Sequence, residues 1–209
     1  MFVDHQPIIA RYGRANPDHF ARVLTFVIAS VRARLGNLTA DMQVIEDHGG
    51  EGVLYGWKHA AVFGISERRI ELWETCEEHA ARADPDALPD ALVATLVTVH
   101  GFGYPKAGFA AQLLYGVSGC LDTHNVRRFE LRARAPCLRE RDPRATAGLT
   151  RKHVAQYNAL ILRCGGTAVL WDTWCAYVAA RAPDTWKTAN HASAEHCVAL
   201  GLPTKERMK

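Results

Sequence analysis

Apolar side chains recur every three to four residues along most of the chain, as they do on one face of an α-helix. The clearest stripe predicts a helix over residues 19–35, which Asn16 caps and Gly36 ends. No segment shows the alternation of apolar and polar residues that is typical of a half-buried strand. The pattern therefore predicts an all-α fold.

The same spacing predicts several further helices, separated by proline, glycine and aspartate residues that interrupt helical patterns. They span residues 66–83, 90–99, 105–117, 123–133, 149–164, 167–182 and 192–200. A glycine-rich interruption at 49–56 precedes the first of them, and a linker at 136–148 precedes the last three. Because 209 residues suffice for one compact core, we expect a single helical unit over 1–209.

Two short segments within residues 88–130 carry the strongest chemical signal. The first, His100-Gly101-Phe102-Gly103-Tyr104-Pro105-Lys106, is a glycine-punctuated hairpin between two predicted helices. Such a hairpin can present backbone N–H groups to a phosphate. The second, Leu121-Asp122-Thr123-His124-Asn125, places a carboxylate just beyond the second of those helices. Together they predict a phosphate grip beside a carboxylate.

Charge is unevenly distributed along the chain. The net charge is +3, but residues 126–152 contain nine basic and three acidic residues and therefore carry +6. A basic linker over about 127–152, directly after the hairpin and the aspartate, suits a polyphosphate partner such as DNA. The alternative is a solvated arginine-rich loop. Its position next to the hairpin favours the DNA interpretation.

Composition excludes several other classes. The six cysteines include no C-x-x-C pair, so neither a zinc ribbon nor a compact cluster motif is present. The longest apolar stretch, residues 23–31, is far shorter than the roughly 20 residues that span a bilayer. The first residues lack the pattern of a signal peptide. We therefore expect a cytoplasmic protein with no membrane partner and no catalytic metal.

The hairpin and the aspartate segment resemble the helix-hairpin-helix DNA glycosylase superfamily. There a G-x-G hairpin is followed by a helix, a loop and a segment with a catalytic aspartate; Gly101 and Gly103 match the hairpin, and Asp122 matches the aspartate. The resemblance implies a glycosylase-like fold of two helical lobes with the active cleft between them. It also implies base flipping and duplex DNA as the partner. The expected DNA contacts are His100, Gly101, Gly103, Tyr104, Lys106, Arg127 and Arg128.

The resemblance bears on cofactors too. Several members of this superfamily carry a four-cysteine iron–sulfur loop near the C-terminus, and the chain lacks that spacing. We therefore expect no iron–sulfur cluster. Hairpins of the superfamily often bind a monovalent cation through backbone carbonyls, which the sequence leaves open here.

A narrower similarity is to small glycosylase-like proteins of bacteriophages, with G-x-G-x-x-K-x-x-F-x-x-Q-L followed by C-L-D-x-H-N-x-R-R/K. The matching residues are Gly101, Gly103, Lys106, Phe109, Gln112, Leu113, Cys120, Leu121, Asp122, His124, Asn125, Arg127 and Arg128. Some members are linked to thymine hypermodification, in which an amine such as glycine is joined to pyrophosphorylated 5-hydroxymethyluracil in DNA and pyrophosphate is released. The similarity implies such a transferase, with an amine or amino-acid co-substrate, acting in the cytoplasm of the host cell.

Asp122 is the principal catalytic candidate. A carboxylate there can stabilise a developing cation or orient and deprotonate a nucleophile. The alternative is a helix N-cap, for which aspartate is also favoured. The upstream hairpin favours catalysis, and capping can coexist with it.

Lys106 is a second candidate, with two possible roles. In bifunctional members of the superfamily a lysine two residues after the second hairpin glycine forms a Schiff base, whereas Lys106 lies three residues after Gly103. The extra residue rotates a helical position by about 100°. We therefore favour contact with phosphate or with the leaving group, although a hairpin longer by one residue would restore the other role.

The remaining candidates each have a structural alternative. His124 and Asn125 are candidate polar groups of the pocket, or structural residues at a helix start. His100 is expected to turn the hairpin or to contact phosphate, and Tyr104 to pack against a sugar or a base. The Trp171-Asp172-Thr173-Trp174-Cys175-Ala176-Tyr177 run suggests a stacking platform, but its helical spacing favours the core.

Two alternatives to the transferase follow from the same residues. One is a DNA N-glycosylase that excises a modified or damaged base, with Asp122 stabilising the sugar cation or activating water. The other is a non-catalytic helix-hairpin-helix DNA-binding module. Because a binding module gains nothing from a carboxylate facing phosphates, Asp122 favours an enzyme.

Overall fold

The structure is a computed structural model that describes residues 4–82, 84–138, 146–181 and 188–204. Within these ranges all regular structure is helical, which confirms the all-α prediction. The helices are α1 (Gln6–Gly13), α2 (Pro17–Ser30), α3 (Leu38–His48), α4 (Trp57–Arg82), α5 (Leu88–Leu96), α6 (Tyr104–Tyr115), α7 (Thr123–Arg128), α8 (Ala147–Arg163), α9 (Gly166–Arg181) and α10 (Ala189–Ala199). Short 3₁₀ turns lie at Leu35–Asn37 and Pro136–Leu138.

Helix α2 lies at the centre of the core. The side chain of Asn16 accepts a hydrogen bond from the backbone N–H of His19, so the predicted cap is confirmed. Its apolar residues are buried against α4 on one side and α6 on the other. Helix α6 also packs against α1 and α5. Helix α8 packs between α5 and α9, and α9 in turn packs against α10. This packing surrounds α6, whose N-terminal turn carries Lys106.

Helix α2 ends at Ser30, earlier than the predicted residue 35. Val31 is extended, with ψ of 117°, and Arg32 has a positive φ of 54°. The predicted end at Gly36 is therefore wrong, because the chain turns before it reaches that glycine. Helix α3 then follows, in a stretch where the sequence predicted no helix.

Two other element predictions need correction at the N-terminal side of the chain. Helix α1 was not predicted, because its eight residues offer too short a stripe to stand out. Helix α4 begins at Trp57 instead of residue 66, so the predicted aromatic segment is part of one helix of 26 residues. None of the helices in the described residues is long and apolar enough to cross a membrane.

Helix α7 ends at Arg128, whereas the sequence predicted a helix to residue 133. Glu130 has a positive φ of 51°, and its N–H donates to the carbonyl of Arg127. The N–H of Leu131 donates to the carbonyl of Val126. These two bonds form a Schellman motif, the commonest way to close a helix with a left-handed residue. Glycine usually occupies this position, so the sequence, which has a glutamate there, gave no signal that the helix ends.

Candidate active site

A cavity of about 500 Å³ lies where the end of α2, the start of α6, the 116–122 loop, α7 and α9 meet. Three of the four candidate catalytic residues line it: Lys106, Asp122 and His124. The structure therefore brings together residues from both sequence segments. The remaining lining is Val27, Ser30, Val31, Arg32, Ala33, Gly103, Pro105, Phe109, Cys120, Leu121, Thr123, Val126, Ala133, Leu138, Trp174 and Tyr177.

Asp122 is the N-cap of α7, as the structural alternative proposed. Its Oδ1 accepts hydrogen bonds from the backbone N–H of His124 at 3.1 Å and of Asn125 at 2.9 Å. Both bonds end on the same oxygen, and no hydrogen bond from a described residue reaches Oδ2. One carboxylate oxygen is thus held by the helix while the other stays available to a ligand, so capping and catalysis are compatible.

Tyr157 of α8 forms two hydrogen bonds with the backbone of the 116–122 loop. Its hydroxyl donates to the carbonyl of Gly119 at 2.7 Å and accepts from the N–H of Leu121 at 2.9 Å. Burial raises the pKa of Tyr157 well above its ordinary value, so the hydroxyl keeps the proton that it donates. Because Leu121 precedes Asp122, this buried phenol positions the candidate catalytic carboxylate.

Helix α6 supports the same loop through a glycine. A Cβ added at Gly108 would overlap the carbonyl oxygen of Gly119 and would lie 2.7 Å from the ring of Tyr157. The helix therefore approaches the loop as closely as backbone allows. No side chain fits between α6 and the loop that leads to Asp122.

Asn125 is buried, with 5% of its surface exposed, and serves the loop as well. Its side-chain Nδ2 donates to the carbonyl of Cys120 at 2.7 Å. The bond spans the turn that carries Asp122. Asn125 does not line the larger cavity but is among the residues that line a smaller neighbouring one; its buried hydrogen bond favours a structural role.

His124 lies at the exposed rim of the cavity and contacts α9. Its Nε2 is 2.8 Å from the hydroxyl of Tyr177, and the two ring centroids are 4.4 Å apart. This contact ties α7 to α9 across the cavity mouth. His124 is thus placed to contact a ligand, as expected for a polar group of the pocket.

Aromatic side chains form one wall of the cavity. The ring of Trp174 lies 5.3 Å from that of Phe109 and 6.0 Å from that of Tyr177. Trp171 is buried, with 2% exposure, so the core interpretation of the tryptophan run is correct for that residue. Trp174 and Tyr177 are only partly buried: both pack against the core and also line the cavity.

His196 of α10 supports the indole of Trp174 from behind. The Nε1–H of Trp174 donates to Nε2 of His196 at 2.8 Å, and His196 Nδ1 contacts the carbonyl of Ala192 at 2.6 Å. Burial lowers the pKa of His196 to about 4, so the imidazole is neutral at physiological pH. A neutral imidazole can accept the indole N–H, which a protonated one cannot.

Cys120 lies in the cavity wall beside Asp122. Burial raises the pKa of its thiol well above the ordinary value, and the nearby charge of Asp122 acts in the same direction. The thiol is therefore protonated at neutral pH. A protonated thiol is a poor nucleophile, so the geometry favours Cys120 as part of the cavity wall.

Lys106 points toward the hairpin as well as lining the cavity. Its ammonium donates to the carbonyl of Gly101 at 2.5 Å and lies 4.9 Å from the ring centroid of Trp57. Both contacts suit a positively charged group, because a carbonyl oxygen and an aromatic face each attract a cation. The geometry agrees with the phosphate or leaving-group role.

The hairpin between α5 and α6 spans residues 97–103. His100 is exposed and therefore accessible to a ligand. Gly101 has a φ of 77°, and a Cβ there would lie 2.6 Å from the ring of Trp57. Gly103 is extended and caps α6. Gly101 thus serves the packing of Trp57 as well as the turn.

The expectation that Tyr104 contacts a sugar or a base is wrong. Tyr104 begins α6 and has 1% of its surface exposed. Its ring packs against His153 and Tyr157 of α8, and its hydroxyl is 3.4 Å from His153 Nδ1. The hairpin is closed before residue 104, so this side chain points into the core and not toward a ligand.

Two carbonyls of the hairpin already accept hydrogen bonds from positively charged side chains. The carbonyl of Gly101 accepts from the ammonium of Lys106, and that of Thr98 accepts from Arg68 at 3.4 Å. The carbonyl of Val99 accepts from the N–H of Phe102. Two of these three oxygens therefore already face a positive charge, which would repel a bound cation. Among the described residues no group of three His, Cys, Asp or Glu side chains could hold a metal ion.

A second cavity of about 250 Å³ adjoins the first. Asp122, His124, Trp174 and Tyr177 line both, so these four side chains separate the two spaces. Arg128, Asn125 and Thr173 complete the smaller one. Arg127 and Arg128 are both exposed at the end of α7, as DNA contacts require, whereas Arg139, Arg141 and Arg144 lie outside the described residues.

Several residues of this site were not found by sequence reasoning. Tyr157, Trp57 and Arg32 come from distant parts of the chain and belong to no motif, so only folding reveals their position. Phe109, which is part of the phage-like pattern, was expected to pack in the core; it is buried and also lines the cavity. No family model, curated protein or solved structure with which the chain was compared matches it.

Proposed function

We propose that the protein is a DNA-base-modifying transferase with a two-lobed helix-hairpin-helix glycosylase-like fold. It joins an amino compound to pyrophosphorylated 5-hydroxymethyluracil in DNA and releases pyrophosphate. The observation that carries this proposal is the position of Asp122 at the junction of two adjoining cavities. One cavity receives the modified base and the other receives the amine.

The larger cavity suits an extruded pyrimidine. Its volume of about 500 Å³ lies in the range of small-molecule sites, and Phe109, Trp174 and Tyr177 offer aromatic faces to a base. Enzymes that act on a base in duplex DNA must take it out of the helix, because its reactive atoms are stacked and paired there. The aromatic wall is thus a platform on which the flipped base stacks.

The smaller cavity supports a transferase over a hydrolase. Its volume of about 250 Å³ is many times the space that a single water molecule needs. A glycosylase needs only water beside its carboxylate, whereas a transferase needs room for an amine. Asp122 and Arg128 give this space one negative and one positive group.

In the proposed reaction the amine nitrogen attacks the methylene carbon attached to C5 of the base. The bond between that carbon and the pyrophosphate oxygen breaks, and pyrophosphate leaves with the bonding electrons. Cationic character develops on the methylene as the bond breaks, and Asp122 Oδ2 stabilises it. The nitrogen then gives its proton to Asp122, so charge and atoms balance.

The hairpin and the end of α7 supply the DNA contacts in this proposal. The exposed Arg127 and Arg128 neutralise backbone phosphates, and the exposed His100 hydrogen-bonds to one. Trp57, with 38% of its surface exposed, lies against Gly101 at the foot of the hairpin. These groups position the duplex without reading its sequence.

Mass analysis of nucleosides tests the proposal directly. The protein is incubated with duplex DNA containing pyrophosphorylated 5-hydroxymethyluracil and with individual amino compounds, and the DNA is then digested. A nucleoside that gains the mass of the amine, with one pyrophosphate released for each, is the expected result. A free base and an abasic site would instead identify a glycosylase, and unchanged DNA that is bound tightly would identify a binding module.

Substitutions of Asp122 separate catalysis from capping. Asn is an almost equivalent N-cap but lacks the charge, so Asp122→Asn is expected to lower turnover by at least about a hundredfold with little change in unfolding temperature. Asp122→Ala removes the cap as well and is expected to cost about 1 kcal/mol of stability. Turnover of Asp122→Asn within a few-fold of wild type would show that the carboxylate only caps α7.

A further inference from the structure

The turn between α2 and α3 contributes Arg32, a residue with a positive φ, to the lining of the larger cavity. The N–H of Ala33 donates to the carbonyl of Ser30 at 3.3 Å, Val31 has φ of −67° and ψ of 117°, and Arg32 has φ of 54°. These values describe a type II β-turn, whose third position favours glycine because its φ is positive. Here that position is occupied by an arginine, which lines the cavity.

The arginine is costly and has no structural compensation among the described residues. A non-glycine residue in the left-handed region costs on the order of 1 kcal/mol. Arg14, Arg22 and Arg69 each form an ion pair with a carboxylate. Arg32, in contrast, forms neither a hydrogen bond nor an ion pair with any residue that the structure describes, and it is exposed.

The charges around the cavity indicate what this arginine binds. Among its described lining, Arg32 and Lys106 carry positive charge and Asp122 carries negative charge. Asp122 is occupied with α7 through one oxygen, and Lys106 with the carbonyl of Gly101. Arg32 is thus the group of the cavity best able to reorganise around an anion, and a guanidinium can bind two phosphoryl oxygens at once.

We propose that Arg32 is the residue that binds the diphosphate group displaced in the reaction, and that its left-handed turn positions it for this purpose. The proposal rests on the proposed function for the identity of the anion. Lys106 neutralises the same group from α6. Backbone phosphate of the extruded nucleotide presents the same oxygens, and the experiment below distinguishes the two sources.

The first measurement is the affinity of the full chain, without DNA, for inorganic pyrophosphate. Calorimetric titration compares wild type with Arg32→Gly and with Arg34→Gln, a control that removes an exposed arginine from the same loop outside the cavity lining. Arg32→Gly is expected to weaken pyrophosphate binding about tenfold to a hundredfold. Arg34→Gln is expected to leave it unchanged.

The unfolding temperature of Arg32→Gly is a second measurement, and it is not expected to fall with the affinity for pyrophosphate. Because glycine suits the left-handed residue of the turn, Arg32→Gly is expected to keep or raise the unfolding temperature while it loses pyrophosphate. A fall in both quantities would mean that Arg32 serves the fold, and would overturn the proposal. Unmeasurable binding of pyrophosphate to wild type would overturn it too.

Binding of unmodified duplex DNA distinguishes the two sources of phosphate. Weaker DNA binding by Arg32→Gly with unchanged pyrophosphate affinity would assign Arg32 to the DNA backbone and overturn the proposal. Pyrophosphate bound through Arg32 without any amine transfer would leave this anion site standing and would contradict the proposed function instead.

Discussion

At the scale of single residues, the buried hydroxyl of Tyr157 fixes the backbone on both sides of Cys120, next to Asp122. Tyr157→Phe removes the donor to Gly119 and the acceptor for Leu121 without changing the shape of the ring. A buried backbone group that loses its partner costs about 1–3 kcal/mol, so we expect a loss of that size in the free energy of unfolding. Denaturant titration measures it.

Tyr177→Phe is the matched control for that substitution. The hydroxyl of Tyr177 contacts His124 at the exposed rim, where water can replace it. We therefore expect Tyr177→Phe to change the free energy of unfolding by less than about 0.5 kcal/mol. Equal effects of the two substitutions would contradict the role assigned to Tyr157.

His196 predicts how stability depends on pH. Burial lowers its pKa from 6.5 to about 4, so the unfolded chain binds the proton more readily than the folded one. The stability contributed by the neutral imidazole is complete above about pH 6.5 and is lost as pH falls through about 4. By linkage the loss approaches about 3 kcal/mol. Unfolding free energies measured between pH 4 and 7 test this.

A variant that cannot titrate separates His196 from the other acid-sensitive groups. His196→Gln is expected to be less stable than wild type at pH 7 but to lose less stability on acidification. The difference between the two curves should therefore shrink as the pH falls. Parallel curves for the two proteins would show that His196 does not contribute.

Sequence reasoning at this scale identified candidate residues whose type and neighbours along the chain form a recognisable pattern. Asp122 and Lys106 were found because a carboxylate and a glycine hairpin are recognisable along the chain, and the fold places both at one cavity. Tyr104 was misjudged because the side of α6 that faces the core depends on α8. Tyr157 and Arg32 were missed because the contacts of Tyr157 and the place of Arg32 in the cavity lining exist only in three dimensions.

At the scale of elements, the contact between α6 and the 116–122 loop depends on Gly108. A methyl group there overlaps the carbonyl of Gly119, so Gly108→Ala is expected to lower the free energy of unfolding by about 1–3 kcal/mol. Gly64 lies in the middle of α4 with open space around it. Gly64→Ala is therefore expected to stabilise the protein by about 0.5–1 kcal/mol.

Thermal unfolding of Gly108→Ala and Gly64→Ala measures these two changes in stability, which are expected to have opposite signs. If both substitutions stabilised the protein, the loop would have to move away from α6 without cost, and the close contact would not matter. A loss of activity in Gly108→Ala that exceeds its loss of stability is the expected signature of a displaced Asp122.

Helix existence was easier to predict than helix ends. The buried stripe of α2 and the capping side chain of Asn16 were visible in the sequence because they follow periodicity and cap preference. The ends of α2 and α7 were misplaced because Arg32 and Glu130 occupy left-handed positions where glycine is the usual signal. The polar and charged residues of α3 weakened its apolar stripe and hid it.

At the scale of the whole molecule, the distribution of charge predicts how the proposed binding of duplex DNA depends on salt concentration. Replacing Arg127 and Arg128 by alanine is expected to reduce the slope of log affinity against log salt by up to about one unit per lost phosphate contact. Arg82→Ala, at the exposed end of α4, is the control and should leave the slope unchanged. An unchanged slope in the double variant would remove both arginines from the DNA interface.

The all-helical class of the molecule followed from periodicity, because nearly every segment had one apolar face. The arrangement of the helices did not, since no local pattern says that α8 reaches back beneath the loop before α7. The cavity exists only through that arrangement. Its aromatic wall could not be assigned from sequence for the same reason, as Trp171 and Trp174 differ only in what covers them.

The bond between Tyr157 and Leu121 has a consequence for the order in which the protein assembles. The two residues are 36 positions apart, so the loop that carries Asp122 gains its final geometry only when α8 has docked. Contacts between distant positions form late, because the intervening chain must first give up its freedom. On the ribosome, the hairpin and α6 emerge well before Tyr157 does. A nascent chain would therefore complete the hairpin before the loop that carries Asp122 is ordered; under the proposed function, affinity for DNA would precede reactivity.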